Sequence, residues 1–220
     1  MISGAPAPRV AVLDYGIGNL RSAEKALQRA GATACLVSDP DEVAGAAGVV
    51  LPGVGAFGRC AKALSDTGLA VAALDALSRG VPFLGICVGM QLLYEGSEED
   101  ARATGLGVLP GTVRRLPAGV KHPQMQWNRL ARVPGRPSRL LEGVGPQEWV
   151  YFVHSFSPEI SDDTVATCDY GGPVAAACER HNVFGVQFHP EKSGSAGIRI
   201  LAAFAAMCEA APRPATPAAK

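Results

Sequence analysis

Net charge is the first thing this chain lacks. Its 220 residues carry 20 Lys and Arg against 20 Asp and Glu. Surfaces that bind nucleic acid or anionic membrane normally show a basic excess, so neither role is expected. Charge is also sparse, at 18% of residues against 48% hydrophobic, which is the balance of a folded globular protein rather than a disordered one. No apolar run approaches the roughly 20 residues that cross a bilayer. The opening "MISGAPAPRV" shows no basic stretch followed by an apolar one, so the sequence predicts no secretion and a cytoplasmic chain. No C-x-x-C pair occurs among Cys35, Cys60, Cys87, Cys168, Cys178 and Cys208. In a chain of this size with no secretory signal, free thiols are expected, most of them inert core residues. No internal repeat or linker divides the sequence. One domain over 9–210 is predicted, followed by a disordered Pro- and Ala-rich tail over 211–220.

The first half alternates short apolar runs with helical patterns. "RVAVLDYG" (9–16), "TACLVS" (33–38), "GVVLPG" (48–53) and "VPFLGI" (81–86) read as strands without period-2 polarity. That is the pattern of a parallel sheet buried on both faces. Between them, "NLRSAEKALQRAG" (19–31) aligns Leu20, Ala23, Ala26, Leu27 and Ala30 on one face, and "GLAVAALDALSRG" (68–80) forms a second helix. From Gly105 to about Val186, short β-like runs separated by Gly and Pro predict antiparallel hairpins extending the sheet. "GSAGIRILAAFAAMCEA" (194–210) closes the chain as a helix.

Chemistry concentrates in three segments. In "PFLGICVGMQLLYE" (82–95), Gly85 and Gly89 bracket Cys87 where a strand ends and a helical pattern begins. This is the cysteine version of a nucleophile elbow, with the following helix N-terminus favouring a thiolate. The residues alone equally allow a buried cysteine beside packing glycines. In "FGVQFHPEKSG" (184–194), His189 and Glu191 are two apart, so in an extended segment they point the same way, and Glu191 could orient the imidazole. A surface His-Pro-Glu turn is the alternative. The spacing does not match H-E-x-x-H, and no metal site is expected. In "LPGVGAFG" (51–58), three glycines could turn backbone N–H groups toward an oxyanion or a phosphate, but no G-K-[ST] ending supports a P-loop. "DYGIGNLR" (14–21) offers only a partial dinucleotide fingerprint, with Arg21 at the third glycine position.

Taken together, P-G-V-G, G-I-C-V-G-M-Q and F-H-P-E-K-S resemble the class I (triad) glutamine amidotransferases. The markers "DYGIGNLRS", "GICVGMQLLYEGSEE", "QMQWN", "YFVHSF" and "GVQFHPEKSG" are similar to the glutaminase branch of the imidazole glycerol phosphate synthases. The resemblance covers roughly residues 9–208. It implies an α/β fold with a mostly parallel, helix-flanked central sheet and an antiparallel β extension. It also implies glutamine hydrolysis without a cofactor, with ammonia passed to a (β/α)8 cyclase partner in histidine biosynthesis.

By the same resemblance, Cys87 is the nucleophile, His189 the proton shuttle and Glu191 its orienting acid. The Val88 N–H forms one arm of the oxyanion hole, and the strand around Gly53, Val54 and Gly55 forms the other, turning a peptide when the partner engages. Gly55, Gln91, Glu99, Ser155 and Phe156 would hold glutamine, and Trp127, Asn128, Tyr151 and Lys192 would face the cyclase. Two departures stand out: the family's P-H-M-G-W-N reads Pro123-Gln124-Met125-Gln126-Trp127-Asn128 here, and Phe156 replaces a usual Tyr. The loss of a glycine at Gln126 is expected to alter the interface loop. His122 and His181 are expected at the surface, and His154 in the framework beside the glutamine site. The glutaminase of pyridoxal phosphate synthase shares the fold but usually carries P-G-G-E-S in place of P-G-V-G. A silent regulatory subunit usually loses the cysteine or histidine, and both are present here.

Overall fold

The computed structural model describes residues 7–211. The elements run β1 (Arg9–Leu13), α1 (Leu20–Arg29), β2 (Thr33–Val37), β3 (Gly48–Gly53), α2 (Phe57–Asp66), α3 (Leu69–Ser78), β4 (Phe83–Cys87) and α4 (Val88–Gln91). Then come β5 (Gly96–Ser97), β6 (Asp100–Thr104), β7 (Thr112–Arg115), β8 (Gln124–Arg129), β9 (Ala131–Arg132), β10 (Trp149–His154), β11 (Phe156–Pro158), β12 (Thr164–Asp169), β13 (Pro173–Arg180), β14 (Val183–Val186) and α5 (Gly194–Ala210).

The apolar runs become the strands of one sheet in the order β2-β1-β3-β4-β14-β13-β12-β9. The first five are mutually parallel, and β13, β12 and β9 continue antiparallel. β3, β4 and β14 are buried along their whole length, as continuous apolar strands covered on both faces should be. Helix α1 packs on α5, and α2 packs on α3. The buried side of α1 is Ala23, Ala26 and Leu27, the middle of its expected apolar stripe. No described helix is long and apolar enough to cross a membrane.

The structure corrects the reading of the second half at several points. β12 and β13 extend the main sheet as expected, but β14 is a central strand, parallel to β4. β7 lies in a separate four-stranded sheet with β11, β5 and β6, and β8 pairs only with β10. Helix α2 was not anticipated. Its buried residues Phe57, Cys60 and Leu64 have helical spacing, but the glycine-rich segment before them reads as loop. The helix after Cys87 is a single turn, Val88–Gln91, not the longer one the pattern suggested. The expected tail falls, apart from Ala211, outside the described residues.

That single turn folds straight back on the sheet, and two glycines make this possible. A Cβ on Gly89 would sit 1.7 Å from the Leu51 carbonyl oxygen, and one on Gly85 would sit 2.6 Å from the Gly89 oxygen and 2.7 Å from Met90 Cα. All of these neighbours are backbone and cannot swing aside. Gly89→Ala is therefore expected to lower stability by at least about 3 kcal/mol, as severe overpacking does. Gly145→Ala, with nothing within 4 Å of its Cβ, should change stability by less than about 0.5 kcal/mol. Urea midpoints for the two variants check this, and similar values would refute the close-approach argument.

Candidate active site

Three adjacent parallel strands end at one edge of the sheet. β3 brings Gly53 opposite Cys87 at the end of β4, and β14 runs beside β4 with Val186 opposite Ile86. Beyond β14 the chain continues through Gln187 and Phe188 to His189, which arrives beside the cysteine. Carboxyl ends of parallel strands are where open α/β sheets present their sites.

Cys87 occupies φ 56°, ψ −113°, one of two non-glycine residues with positive φ among those described. Such backbone costs on the order of 1–3 kcal/mol and persists only where the surroundings impose it. Here the strand before it and the turn after it are both fixed by close backbone contact. The α4 turn is too short to supply the macrodipole expected from the sequence, whose full strength needs several aligned turns. What it contributes is the N–H groups of its first residues, beginning with Val88, which have no partner within the turn itself.

His189 is 1% exposed. Its Nδ1 lies 2.8 Å from Glu191 Oε1, and the Glu191 side chain is equally buried. A short 3-10 turn, Pro190–Lys192, brings the carboxylate back under the ring. The backbone around the imidazole is also held: His189 N–H donates to the Tyr151 carbonyl at 2.9 Å, and Ser193 Oγ donates to the His189 carbonyl at 2.6 Å while accepting from Tyr151 N–H at 3.0 Å. His189 Nε2 and Glu191 Oε2 are buried without hydrogen-bond partners. Burial opposes charge on the ring, but interaction with the Cys87 sulfur and then with Glu191 outweighs it and lifts His189 to about 10. Nε2 and the sulfur make no hydrogen bond within normal limits, although the two groups line one cavity.

That cavity, of about 190 Å³, is also lined by Val54, Gly55, Val88, Gln91, Glu99, Val153, His154, Ser155 and Phe156. All the residues expected to hold glutamine therefore border the space in front of Cys87. Some already have structural work. Glu99 Oε2 accepts the Phe57 N–H at 2.7 Å and so caps α2, which has no side-chain cap of its own. Gln91 Nε2 donates to the Phe156 carbonyl at 2.9 Å and to Gln187 Oε1 at 3.1 Å.

Gln187 went unnoticed in the sequence, yet it is fully buried with Nε2 3.7 Å from Cys87 Sγ. The available signal was its place two residues before His189 in extended chain, which puts both on one side.

The expected partner-facing residues do not join the cavity. Trp127 and Tyr151 are directly opposite on the β8–β10 ladder, with ring centroids 5.8 Å apart and edge-on. Asn128 Nδ2 donates to the Asp169 carbonyl at 2.9 Å, and Lys192 is exposed. Met125 and Trp149, not singled out from the sequence, are exposed apolar residues on the same ribbon. The two glutamine departures have different consequences. Gln126 pairs with Phe152 in regular strand without positive φ, so β8 simply runs through this position.

Gln124 is fully buried and lies 2.9 Å from His154 Nε2. His154 Nδ1 is 2.9 Å from the Phe156 carbonyl, so Nδ1 must donate. Burial lowers the pKa of His154 to about 4, the Phe156 bond offsetting this only partly, so the ring is neutral and Nε2 must accept. Gln124 Oε1 is the atom placed against His154 Nε2, and Gln124 Nε2 lies 3.8 Å from Cys168 Sγ on the other side; the neutral ring calls for the amide in its other orientation, NH2 toward the ring and carbonyl toward the thiol. His181 is exposed as expected. His122 is not a free surface residue: its Nδ1 is buried and its Nε2 lies 3.2 Å from the Pro117 carbonyl. All six cysteines are unpaired.

The family model described as glutamine amidotransferase class-I matches residues 11–208. The chain belongs to that family. Similar relatives include the imidazole glycerol phosphate synthase subunit HisH of Salinibacter ruber, 48% identical over 205 residues and covering 89% of this chain and 93% of the relative. HisH of Moorella thermoacetica is 47% identical with the same coverage. HisH of Methanothermobacter thermautotrophicus is also 47% identical, over 89% of this chain and 96% of its own. Among solved structures, one described as a glutamine amidotransferase aligns with TM-score 0.72 at 21% identity, over 91% of this chain and 98% of its own. PurLQS from Thermotoga maritima aligns with TM-score 0.70 at 23% identity, over 90% and 97%. At such identities these structures speak for the fold alone.

The neutral His154 in the wall of this cavity gives a pH prediction. The folded pKa of His154 lies below its unfolded value near 6.5, so the unfolded chain binds the extra proton first. Its contribution is fully present above about pH 6.5 and is lost as pH falls toward 4. Between pH 7 and pH 5 the wild type should lose about 2 kcal/mol that His154→Gln does not lose. Denaturant melts of both proteins at the two pH values measure the difference. Parallel losses would mean that the ring is not held neutral.

Proposed function

We propose that the chain, through a single amidotransferase domain over 9–210, hydrolyses glutamine to glutamate and ammonia with Cys87, His189 and Glu191, and works in the cytoplasm. The observation that carries this reading is the convergence of a strained Cys87 and a Glu191-oriented His189 on one cavity from the ends of neighbouring parallel strands. The Cys87 sulfur, its proton passed to His189, attacks the side-chain amide carbon. The developing oxyanion takes the Val88 N–H and a donor from Gly53-Val54-Gly55. Collapse expels ammonia with the proton returned from His189 Nε2, leaving a glutamyl thioester. Water then attacks the thioester while His189 takes its proton, and glutamate leaves. This chemistry needs no metal or organic cofactor. Gln91, Glu99, Ser155 and Phe156 hold the substrate in the cavity.

The relatives named as HisH are subunits of imidazole glycerol phosphate synthase. By that similarity the ammonia goes to a (β/α)8 cyclase of histidine biosynthesis, docked on Trp127, Asn128, Tyr151 and Lys192. The exposure of Met125, Trp127 and Trp149 on one two-stranded ribbon supports this face.

Cys87→Ser is expected to lower glutamate release by about 10⁴-fold or more, and Glu191→Gln to lower it less than His189→Ala, because the acid orients but transfers no proton. A Cys87→Ser variant retaining a tenth of the wild-type rate would reject the nucleophile assignment. Glutamate release by the chain alone, with the co-purified cyclase, and with cyclase plus its nucleotide ligand tests the pairing. Stimulation of about 10²-fold or more is expected if the partner completes one oxyanion donor, and equal rates in all three would favour a free-standing hydrolase.

A further inference from the structure

The Pro52-Gly53-Val54-Gly55 segment is held by two side chains that the mechanism above does not use. Tyr15, just past β1, donates its hydroxyl to the Pro52 carbonyl at 2.7 Å. Cys60, one turn into α2, directs its thiol at the Val54 carbonyl, with Sγ and oxygen 3.3 Å apart. Both side chains are buried. Burial raises the pKa of each, so phenol and thiol keep their protons and remain donors. The gripped carbonyls belong to the peptide units Pro52–Gly53 and Val54–Gly55. The one unit between them, Gly53–Val54, carries no side-chain bond of its own among the described residues, and Gly55 beside it has φ +90°.

We propose that Cys60, together with Tyr15, is a positioning residue for the oxyanion hole: the two donors fix the peptide units on either side of Gly53–Val54 and so set where that peptide presents its N–H to the reacting carbonyl. The inference rests on the amidotransferase reading given above. The constraint is asymmetric. Gly53 has no room for a side chain, since a Cβ there would lie 2.8 Å from Gly89 N and 2.9 Å from the Tyr15 hydroxyl oxygen. The segment therefore cannot be stiffened by its own residues and takes its register from outside. The Cys60 bond also joins the segment to α2, whose N-terminus is capped by Glu99 from the cavity wall. One helix thus ties the oxyanion arm to a wall of the substrate pocket.

The test uses the full chain in complex with its cyclase and nucleotide ligand. Loss of one such hydrogen bond is worth about 3- to 10-fold, so Cys60→Ala should lower kcat by that factor while KM for glutamine stays within twofold. Cys60→Ser, which keeps a donor, should restore kcat, and Tyr15→Phe should behave like Cys60→Ala. Alkylation of Cys87 by iodoacetamide, followed by peptide mapping, should be unchanged in all three, because that reaction forms no oxyanion. Wild-type kcat in Cys60→Ala would overturn the proposal. Equal losses in the Ala and Ser variants would also overturn it, as they would trace the effect to packing, and so would an alkylation rate that falls with turnover. A wild-type complex that releases no glutamate at all would instead reject the underlying amidotransferase reading.

Discussion

The site depends on a close approach of backbone to backbone. β4 ends and the α4 turn folds back so tightly that the Leu51 carbonyl of β3 fills the space a Cβ on Gly89 would need, while Gly85 lies against Met90. Only glycine allows this, for lack of a Cβ rather than for its dihedral freedom, since neither residue has positive φ. The fold then holds Cys87 at φ 56° with rigid chain on both sides. The same contact sets β3 against β4 through to Gly53 opposite Cys87, so the proposed nucleophile and the segment proposed to cradle the oxyanion are placed by one packing event.

Electrostatics separate two buried histidines that sit in one cavity wall. His154 loses its affinity for a proton because it is buried and because charge on His189 opposes its own, the bond to the Phe156 carbonyl offsetting this only in part. His189, though buried too, gains affinity because a thiol sulfur and a carboxylate face it. Burial alone cannot tell the two roles apart; the presence of an anion can. The polar atoms left unpartnered in the proposed triad, His189 Nε2 and Glu191 Oε2, carry a real desolvation cost. Beside them, Gln91 and Gln187 satisfy each other across the cavity wall, Gln91 Nε2 donating to Gln187 Oε1 at 3.1 Å.

The exposed ribbon and the buried histidine share one residue. Tyr151 presents its ring to Trp127 on the face proposed for the cyclase, while its carbonyl accepts the His189 N–H and its own N–H donates to the Ser193 hydroxyl. A partner pressing on that ribbon would therefore act through the main chain on the imidazole. With β8 and β10 forming only a two-stranded pair, this part of the molecule is also the least supported by neighbouring strands.

The parallel strands β1 to β4, the helices α1, α3 and α5, and Cys87, His189 and Glu191 as candidates were legible because each rests on local periodicity or on a short motif. Strand and helix repeats are properties of consecutive residues, and a glycine-bracketed cysteine is visible within five positions. Helix α2 was hidden by the glycines that precede it, and the brevity of α4 by an apolar continuation that packs as turn rather than helix. The pairing of β4 with β14, the contact of Gln187 with Cys87 and the bond of Gln124 to His154 were not legible at all. These join residues about 100, 100 and 30 positions apart. The sequence by itself determined which groups this protein has for chemistry. The tertiary structure decided which of them meet, because contacts across such separations follow from sheet order and side-chain packing, and no local pattern encodes either.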